Sequence, residues 1–519
     1  MKRPEIIIIG SGINALVAAA MLSRRKRVLV LEREDRIGGC MMSGEITAPG
    51  FTHDVMAATF VLFLTSPAFA ALGPGLAKHG LEFCHTDRPT AALRPDGTAT
   101  VLTTDRAANI AAFNARAAGD GDRHGADVGG VEKEADFLFS LLGGPNWGWP
   151  LVRLLGRQAR KLGIRGLGAW FGGALQPARG WLEANYASPD IQALWAPWPL
   201  HAGLTPDASF SGQMGRVIAF ALEAAGAPIV KGGAGQAAQA FRRLIDAQRG
   251  AVRTDADVDR ILVKTGRVAG VALASGEEIT APTVLASVTP TQLTTRLLRD
   301  VDLPDAVEAT RSYRYGRGNF QLHYALDRPP VWTTAGLEKV ALIHLTDGID
   351  AVSKSSNEAE RGMLPETPTI CVGQPSALDP SRCPDGKAVL WLQIPDAPRV
   401  VKGDAAGQIA TNGWDEATRA AFADRIETIL AAHLDGFAQS VIARRAYAPP
   451  DLEALNINLV GGDPYGGACQ IDQYFAWRPF LRPTGAADVR GLHHIGASTH
   501  PGPGLSGGSG FLAARSLGA

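Results

Sequence analysis

The chain has 519 residues, enough for roughly two to four domain-sized units with large buried cores. Its 51 basic and 51 acidic side chains balance, so no global field favours nucleic acid or an anionic membrane, and nucleic acid is not an expected partner. The five cysteines (Cys40, Cys84, Cys371, Cys383 and Cys469) are scattered, odd in number and free of CxxC pairs, which points to neither a disulfide framework nor a zinc site.

The first forty residues predict a strand, a glycine turn, a helix, a second strand and an acid. Glu5 to Ile9 form a β-branched run suited to a strand buried on both faces of a parallel sheet. In the turn that follows, Gly10 permits the sharp bend and Gly12 lets the backbone approach a pyrophosphate. The small Ala15 lets the helix lie against the strand. The phosphates then meet a helix N-terminus, whose unpaired N–H groups bind an anion without a basic side chain. Val28 to Leu31 supply the second strand, and Glu32 stands where a carboxylate accepts hydrogen bonds from an adenosine ribose. The plain alternative makes the glycines ordinary punctuation and Glu32 a solvated loop acid. The strand before, the helix after and the acid at the end of the next strand favour a dinucleotide site. Because the first strand begins directly after MKRP, no cleavable signal peptide is expected and a cytoplasmic location is. The apolar run at 57–72 is broken by Thr65, Ser66 and Pro67, so no transmembrane helix is expected.

Beyond the glycine-rich loop at 35–60, the segment 98–228 reads as largely helical. Within it, 147–171 carries Arg153, Arg157, Arg160, Lys161 and Arg165 at helical spacing near tryptophans. That pattern suits equally an interfacial helix on a membrane and a solvated basic face. At Ile229 the alternation of strand and helix returns. A helix is expected over Gly235–Gln248, then strands at Ala251–Arg253, Val258–Lys264, Val268–Leu273 and Thr283–Ala286. Mixed α+β character follows, with strands near Phe320–Ala325 and Ala388–Gln393 and a helix over Trp414–Leu434. The chain closes with a short strand, a second glycine turn and a final helix. The expected organisation is therefore α/β. A Rossmann-like nucleotide domain built from 1–97, 229–289 and 456–519 is interleaved with an α+β substrate domain built from 98–228 and 290–455.

Four segments then match, in order, a family of flavoproteins. GSGINAL with Glu32 and the pair Gly38-Gly39, VKGGAGQ followed by DADVDRILV, NLVGGDPYGGACQIDQYFAWRP, and IGASTHPGPGLSGGSGFLAA resemble the phytoene desaturase-like FAD-dependent oxidoreductases. Within that family the chain looks closest to the branch related to pyridine nucleotide-disulfide oxidoreductase domain-containing protein 2 and the carotenoid ketolases. The resemblance implies an amine-oxidase-like (GR2-type) FAD domain. Gly10, Ser11, Gly12, Asn14 and Ala15 would hold the pyrophosphate, Glu32 and Arg33 the adenosine end, and Gly38 and Gly39 the second loop. Val258 would lie by the adenine, Gly496 and Ala497 beside the ribityl chain, and Leu505 and Ser506 would present the last helix to the flavin. Cys40 stands where related amine-oxidase-like flavoproteins commonly carry an arginine, which points away from an amine-oxidase reading. Cys40 reads as a small buried cysteine rather than a covalent flavin ligand.

Candidates for proton transfer are His53 and Asp54 in GFTHDV, Asp472 with Tyr474 and Trp477 in QIDQYFAW, and His500 in STHPG. The plain reading of the histidines is turn chemistry and backbone hydrogen bonding. His493 and His494, adjacent on a strand, point to opposite faces, and no metal is expected. The function expected from the resemblance is desaturation of C–C bonds in an apolar, isoprenoid- or carotenoid-like small molecule, with the electron acceptor open. The alternatives are a non-redox isomerase of the same family, a non-catalytic FAD-binding interaction protein and, on the N-terminal motif alone, an NAD-only dehydrogenase. A second turn-helix unit at the C-terminus argues against the last.

Overall fold

The computed structural model describes residues 3–480 and 489–519. A five-stranded parallel sheet forms from distant parts of the chain, in the order Leu492–Ile495, Thr283–Ser287, Ile6–Ile9, Val28–Leu31, Gly250–Arg253. Ile6–Ile9 is buried at every position, as a β-branched run at the centre of a sheet covered on both faces should be. Ile6 and Ile8 join one core with the helices Ile13–Leu22 and Ala234–Asp246. Ile7 and Ile9 join another, under an antiparallel ribbon of Val258–Lys264, Arg267–Leu273 and Glu278–Thr280.

The helix Ile13–Leu22 is buried on every side, which accounts for its alanine-rich sequence. One neighbour is the closing helix Gly508–Ser516, and there a glycine is obligatory: a Cβ on Gly510 would stand 1.8 Å from the carbonyl oxygen of Asn14. Asn14 returns the contact, its Oδ1 accepting from the Gly510 N–H at 3.2 Å.

A second, seven-stranded sheet runs in the order Val441–Tyr447, Gly318–Leu326, Ala388–Ala397, Ile370–Gly373, Leu342–Leu345, Thr90–Leu93, Ala99–Leu102. Thr90–Leu93, inside the segment 1–97, pairs with this sheet rather than with the parallel one. One face packs against the helix Glu416–Ala431, and the other against helices drawn from 178–225 through Trp181, Trp195 and Leu222. The helix expected over Trp414–Leu434 begins two residues later because the Asp415 carboxylate caps it, accepting from the Thr418 N–H at 2.7 Å.

The apolar run at 57–72 resolves into two helices, Val61–Leu64 and Pro67–Lys78, the second capped by Ser66. Among the described residues no helix is long and apolar enough to cross a membrane. The helix Trp149–Ala174 is interrupted at Gly163, whose φ of 72° lies in the left-handed region that glycine alone enters freely.

Candidate cofactor and substrate site

Between the two sheets lies a cavity of about 440 Å³. Gly10, Ser11, Gly12, Asn14, Glu32, Arg33, Gly38, Gly39, Val258, Gly496, Ala497 and Leu505 all line it, although they come from both ends and the middle of the chain. Ala15 lies behind this wall, fully buried in the core, where its small side chain lets the helix lie close to the sheet. Ser506 stands beside it, and its hydroxyl accepts from the Gly508 N–H at 3.2 Å.

The glycine turn is held from within. The Glu32 carboxylate accepts from the Ser11 N–H at 2.9 Å and its hydroxyl at 2.5 Å, and from the Glu34 N–H at 3.1 Å. The Ser11 hydroxyl in turn accepts from the Gly38 N–H at 2.9 Å, tying the two glycine loops together. Among the described residues, no side chain caps the first helix at Gly12, and a Cβ placed there meets nothing within 4 Å. Uncapped N–H groups, open space over them and a carboxylate at the end of the next strand are what a flavin dinucleotide requires of a protein, and these residues fit one. They would hold the pyrophosphate at Gly10–Gly12 and the adenosine end at Glu32 and Val258.

The proton-transfer candidates are placed elsewhere. None of His53, Asp54, Asp472 and His500 lines the cavity. Asp54 anchors the helix Ala234–Asp246: its Oδ1 accepts from the Ala234 N–H at 2.7 Å and the Ser43 hydroxyl at 2.5 Å, while its Oδ2 lies 3.0 Å from the fully buried Arg382 guanidinium. Arg382 also pairs with Asp379, whose Oδ2 accepts from Gly232 N–H. This is a carboxylate at a helix N-terminus, satisfied and structural in its contacts. His53 contacts the Thr47 hydroxyl at 2.7 Å, and burial together with the Arg382 charge pushes its pKa down to about 4. Asp472 is a surface residue paired with Arg314 at 2.7 Å. His500 lies 2.8 Å from Asn146 and 2.7 Å from the Gly144 carbonyl, and burial lowers its pKa. Tyr474 does line the cavity, whereas Trp477 is more than a third exposed. Cys40 lines it too, and burial pushes its thiol up to about 11, which favours the protonated form.

Other wall residues carried no recognisable pattern. Trp198 and His201 come from a short helical turn, Met214 and Val217 from the helix Ser211–Ala225, and Leu342 and Trp391 from the seven-stranded sheet. Arg478 is buried and donates to the carbonyls of Tyr465 (2.6 Å), Ala497 (2.9 Å) and Ala468 (3.1 Å), which fixes the wall at Ala497.

The comparisons with known proteins agree with this geometry. Residues 8–72 match the NAD(P)-binding Rossmann-like domain, and residues 192–502, more than half of the chain, match the flavin containing amine oxidoreductase family. Pyridine nucleotide-disulfide oxidoreductase domain-containing protein 2 of Mus musculus is 29% identical over 98% of this chain and 92% of its own length. Hydroxyneurosporene desaturase of Rubrivivax gelatinosus is 26% identical over 100% and 94%. The structure of a redesigned putrescine oxidase triple mutant superposes with a TM-score of 0.59 at 16% identity, covering 99% of this chain and 98% of that one, a likeness of fold. An uncapped glycine turn and a second glycine segment closing on it complete the agreement, in place of the NAD-only alternative: the chain belongs to the flavin containing amine oxidoreductase family and is a phytoene desaturase-like FAD-dependent oxidoreductase.

Proposed function

We propose that the protein takes hydrogen from a carbon–carbon bond of an apolar, isoprenoid-like substrate. Bound FAD supplies the hydride acceptor for that chemistry. The observation that carries the reading is the distribution of charge along the cavity. Glu32, Arg33, Glu34, Arg36, Asp257 and Arg296 gather at the nucleotide end, while Met56, Leu62, Trp198, Met214, Val217 and Trp391 form the substrate end. An amine substrate carries a cation, and burying it calls for a carboxylate partner. Among the described residues no carboxylate lines the substrate end. Apolar walls hold a hydrocarbon chain in place and keep water from the reacting carbon atoms. A relative named for desaturation of hydroxyneurosporene supports this choice within the family.

The test is anaerobic addition of apolar metabolite fractions to the holoprotein. Bleaching of the oxidised flavin bands with a product two hydrogens lighter is the expected result. A product of unchanged mass without bleaching would replace the reading with an isomerase, and no response to any fraction would favour a non-catalytic interaction protein.

We also propose that the segment 147–171 meets an anionic lipid surface. Trp147, Trp149, Val152 and Ile164 are 70%, 73%, 56% and 85% exposed. Arg153, Arg157, Arg160, Lys161 and Arg165 form no ion pair with a described acidic residue. Exposed apolar side chains among unneutralised cations match an interface of headgroups and acyl chains. Flotation with anionic vesicles at low salt, lost with neutral vesicles or at high salt, is expected; absence of flotation at low salt would remove the proposal.

A further inference from the structure

One cluster of metal-ligating side chains lies apart from the residues that would hold FAD. His344 and Cys371 face each other across the antiparallel strands Leu342–Leu345 and Ile370–Gly373. His201, from the turn Trp198–Ala202, reaches them from the helical layer, and its Nε2 lies 2.8 Å from the Nε2 of His344. The ligand atoms of all three residues fall within 4.8 Å of one another. His344 and Cys371 are buried, and the ring of Trp198 packs on both imidazoles, 4.8 Å from His201 and 5.0 Å from His344 by ring centroids.

The cluster makes a poor core and a good ligand set. The Nδ1 of His344 is buried and has no hydrogen-bond partner among the described residues. Two imidazoles whose Nε2 atoms meet need a proton between them, so one ring carries Nε2–H and the other Nε2 accepts. Aliphatic side chains would fill the same sheet face without leaving a polar atom unsatisfied. Two imidazoles and a thiol, by contrast, are a nitrogen and sulfur set of the kind zinc takes, and carboxylates, which magnesium or calcium would want, take no part. His201 also lines the cavity, as do the neighbouring Leu342, Trp391 and Gln393.

We propose that His201, His344 and Cys371 form a zinc site in the wall of the cavity, with the fourth coordination position turned towards the cavity. Binding breaks the S–H bond of Cys371 and forms a Zn–S bond, and the thiol proton leaves to solvent. The proton between the two imidazoles moves to Nδ1 of its own ring, so that both Nε2 lone pairs reach the metal. No electron is transferred. The open position accepts a water or an oxygen atom of a ligand in the cavity, as three-ligand zinc sites do.

The test uses the holoprotein dialysed against zinc and then against buffer, with metal counted by elemental analysis and the ligand set read by zinc-edge X-ray absorption. One zinc per chain is expected, with one sulfur at about 2.3 Å and two imidazole nitrogens at about 2.0 Å. His201→Ala, which changes a residue at the cavity edge, and Cys371→Ser should each cut retained zinc at least about tenfold, in keeping with loss of one ligand of three. Flavin absorbance reports that each variant is folded. Substoichiometric zinc on the wild-type protein, zinc bound without sulfur, or zinc retained equally by both variants would overturn the proposal. Should Cys371→Ser lose its flavin, the sulfur shell of the wild-type protein and His201→Ala decide the matter.

Discussion

Gly12→Ala separates the fold of the protein from its hold on the cofactor. Gly12 has φ −63° and ψ 168°, which alanine adopts freely, and its Cβ would meet nothing within 4 Å. The cost to the cofactor-free protein is that of a poorer helix cap, about 1 kcal/mol. The methyl group, however, projects into the open space over the uncapped helix N-terminus. Losing two charge-assisted hydrogen bonds between phosphate and backbone N–H costs about 3 to 6 kcal/mol, a factor of roughly 10² to 10⁴ in Kd. The assay is titration of apoprotein with FAD by fluorescence quenching, paired with thermal unfolding of the apoprotein. Gly510→Ala is the contrast: its Cβ would stand 1.8 Å from a backbone oxygen of Asn14, so it should lower the apoprotein Tm as well as FAD affinity. FAD affinity in Gly12→Ala equal to the wild type would refute the assignment of the pyrophosphate to this turn.

Further outcomes concern charge and packing. His53 and His494 are held neutral by burial, each with its pKa pushed down to about 4. The unfolded chain takes up these protons near pH 6.5, so stability is full above that value and falls towards about pH 4, by on the order of 3 kcal/mol for each histidine. A urea midpoint that stays flat across this range would contradict the burial described. Arg382→Met leaves Asp54 and Asp379 buried without their cation and should destabilise the protein by about 3 to 5 kcal/mol, read as a shift in urea midpoint. Val217→Trp enlarges a side chain in the substrate end of the cavity and should leave flavin content intact while slowing substrate-driven bleaching by about tenfold or more; unchanged bleaching would move the substrate elsewhere.

Local chemistry made the nucleotide side legible. Isoleucines at 6 to 9, glycines at 10 and 12 and an acid at 32 spell a strand, a turn and an acid where a ribose would lie, and Ile9, Gly10, Gly12 and Glu32 line one cavity with Gly496 and Leu505. The extended run Val258–Lys264 was equally readable, because Val258, Ile261 and Val263 are the β-branched residues a strand favours. The substrate wall was not. Trp198, Met214 and Trp391 look like ordinary core residues in sequence, and only the packing of the helical layer on the seven-stranded sheet brings them to one surface. Asp54 misled for a related reason: a carboxylate beside a histidine suggests proton transfer, but the N–H that Asp54 satisfies belongs to a helix 180 residues away. Arg478 gave no warning because its partners are backbone carbonyls, which any sequence supplies.

The clasp between Asn14 and Gly510 bears on how the protein comes into being. The two residues are 496 positions apart, and the last of the parallel strands, Leu492–Ile495, joins the sheet just before it. During synthesis the glycine turn emerges long before the opposite wall of its cavity, Gly496 to Leu505. The flavin site can therefore close only after residues 496–516 have been made, and every nascent chain passes through a period in which a helix destined to be buried on all sides has no closing partner. Termination anywhere before Gly508–Ser516 yields a chain that has the nucleotide turn and cannot shut it.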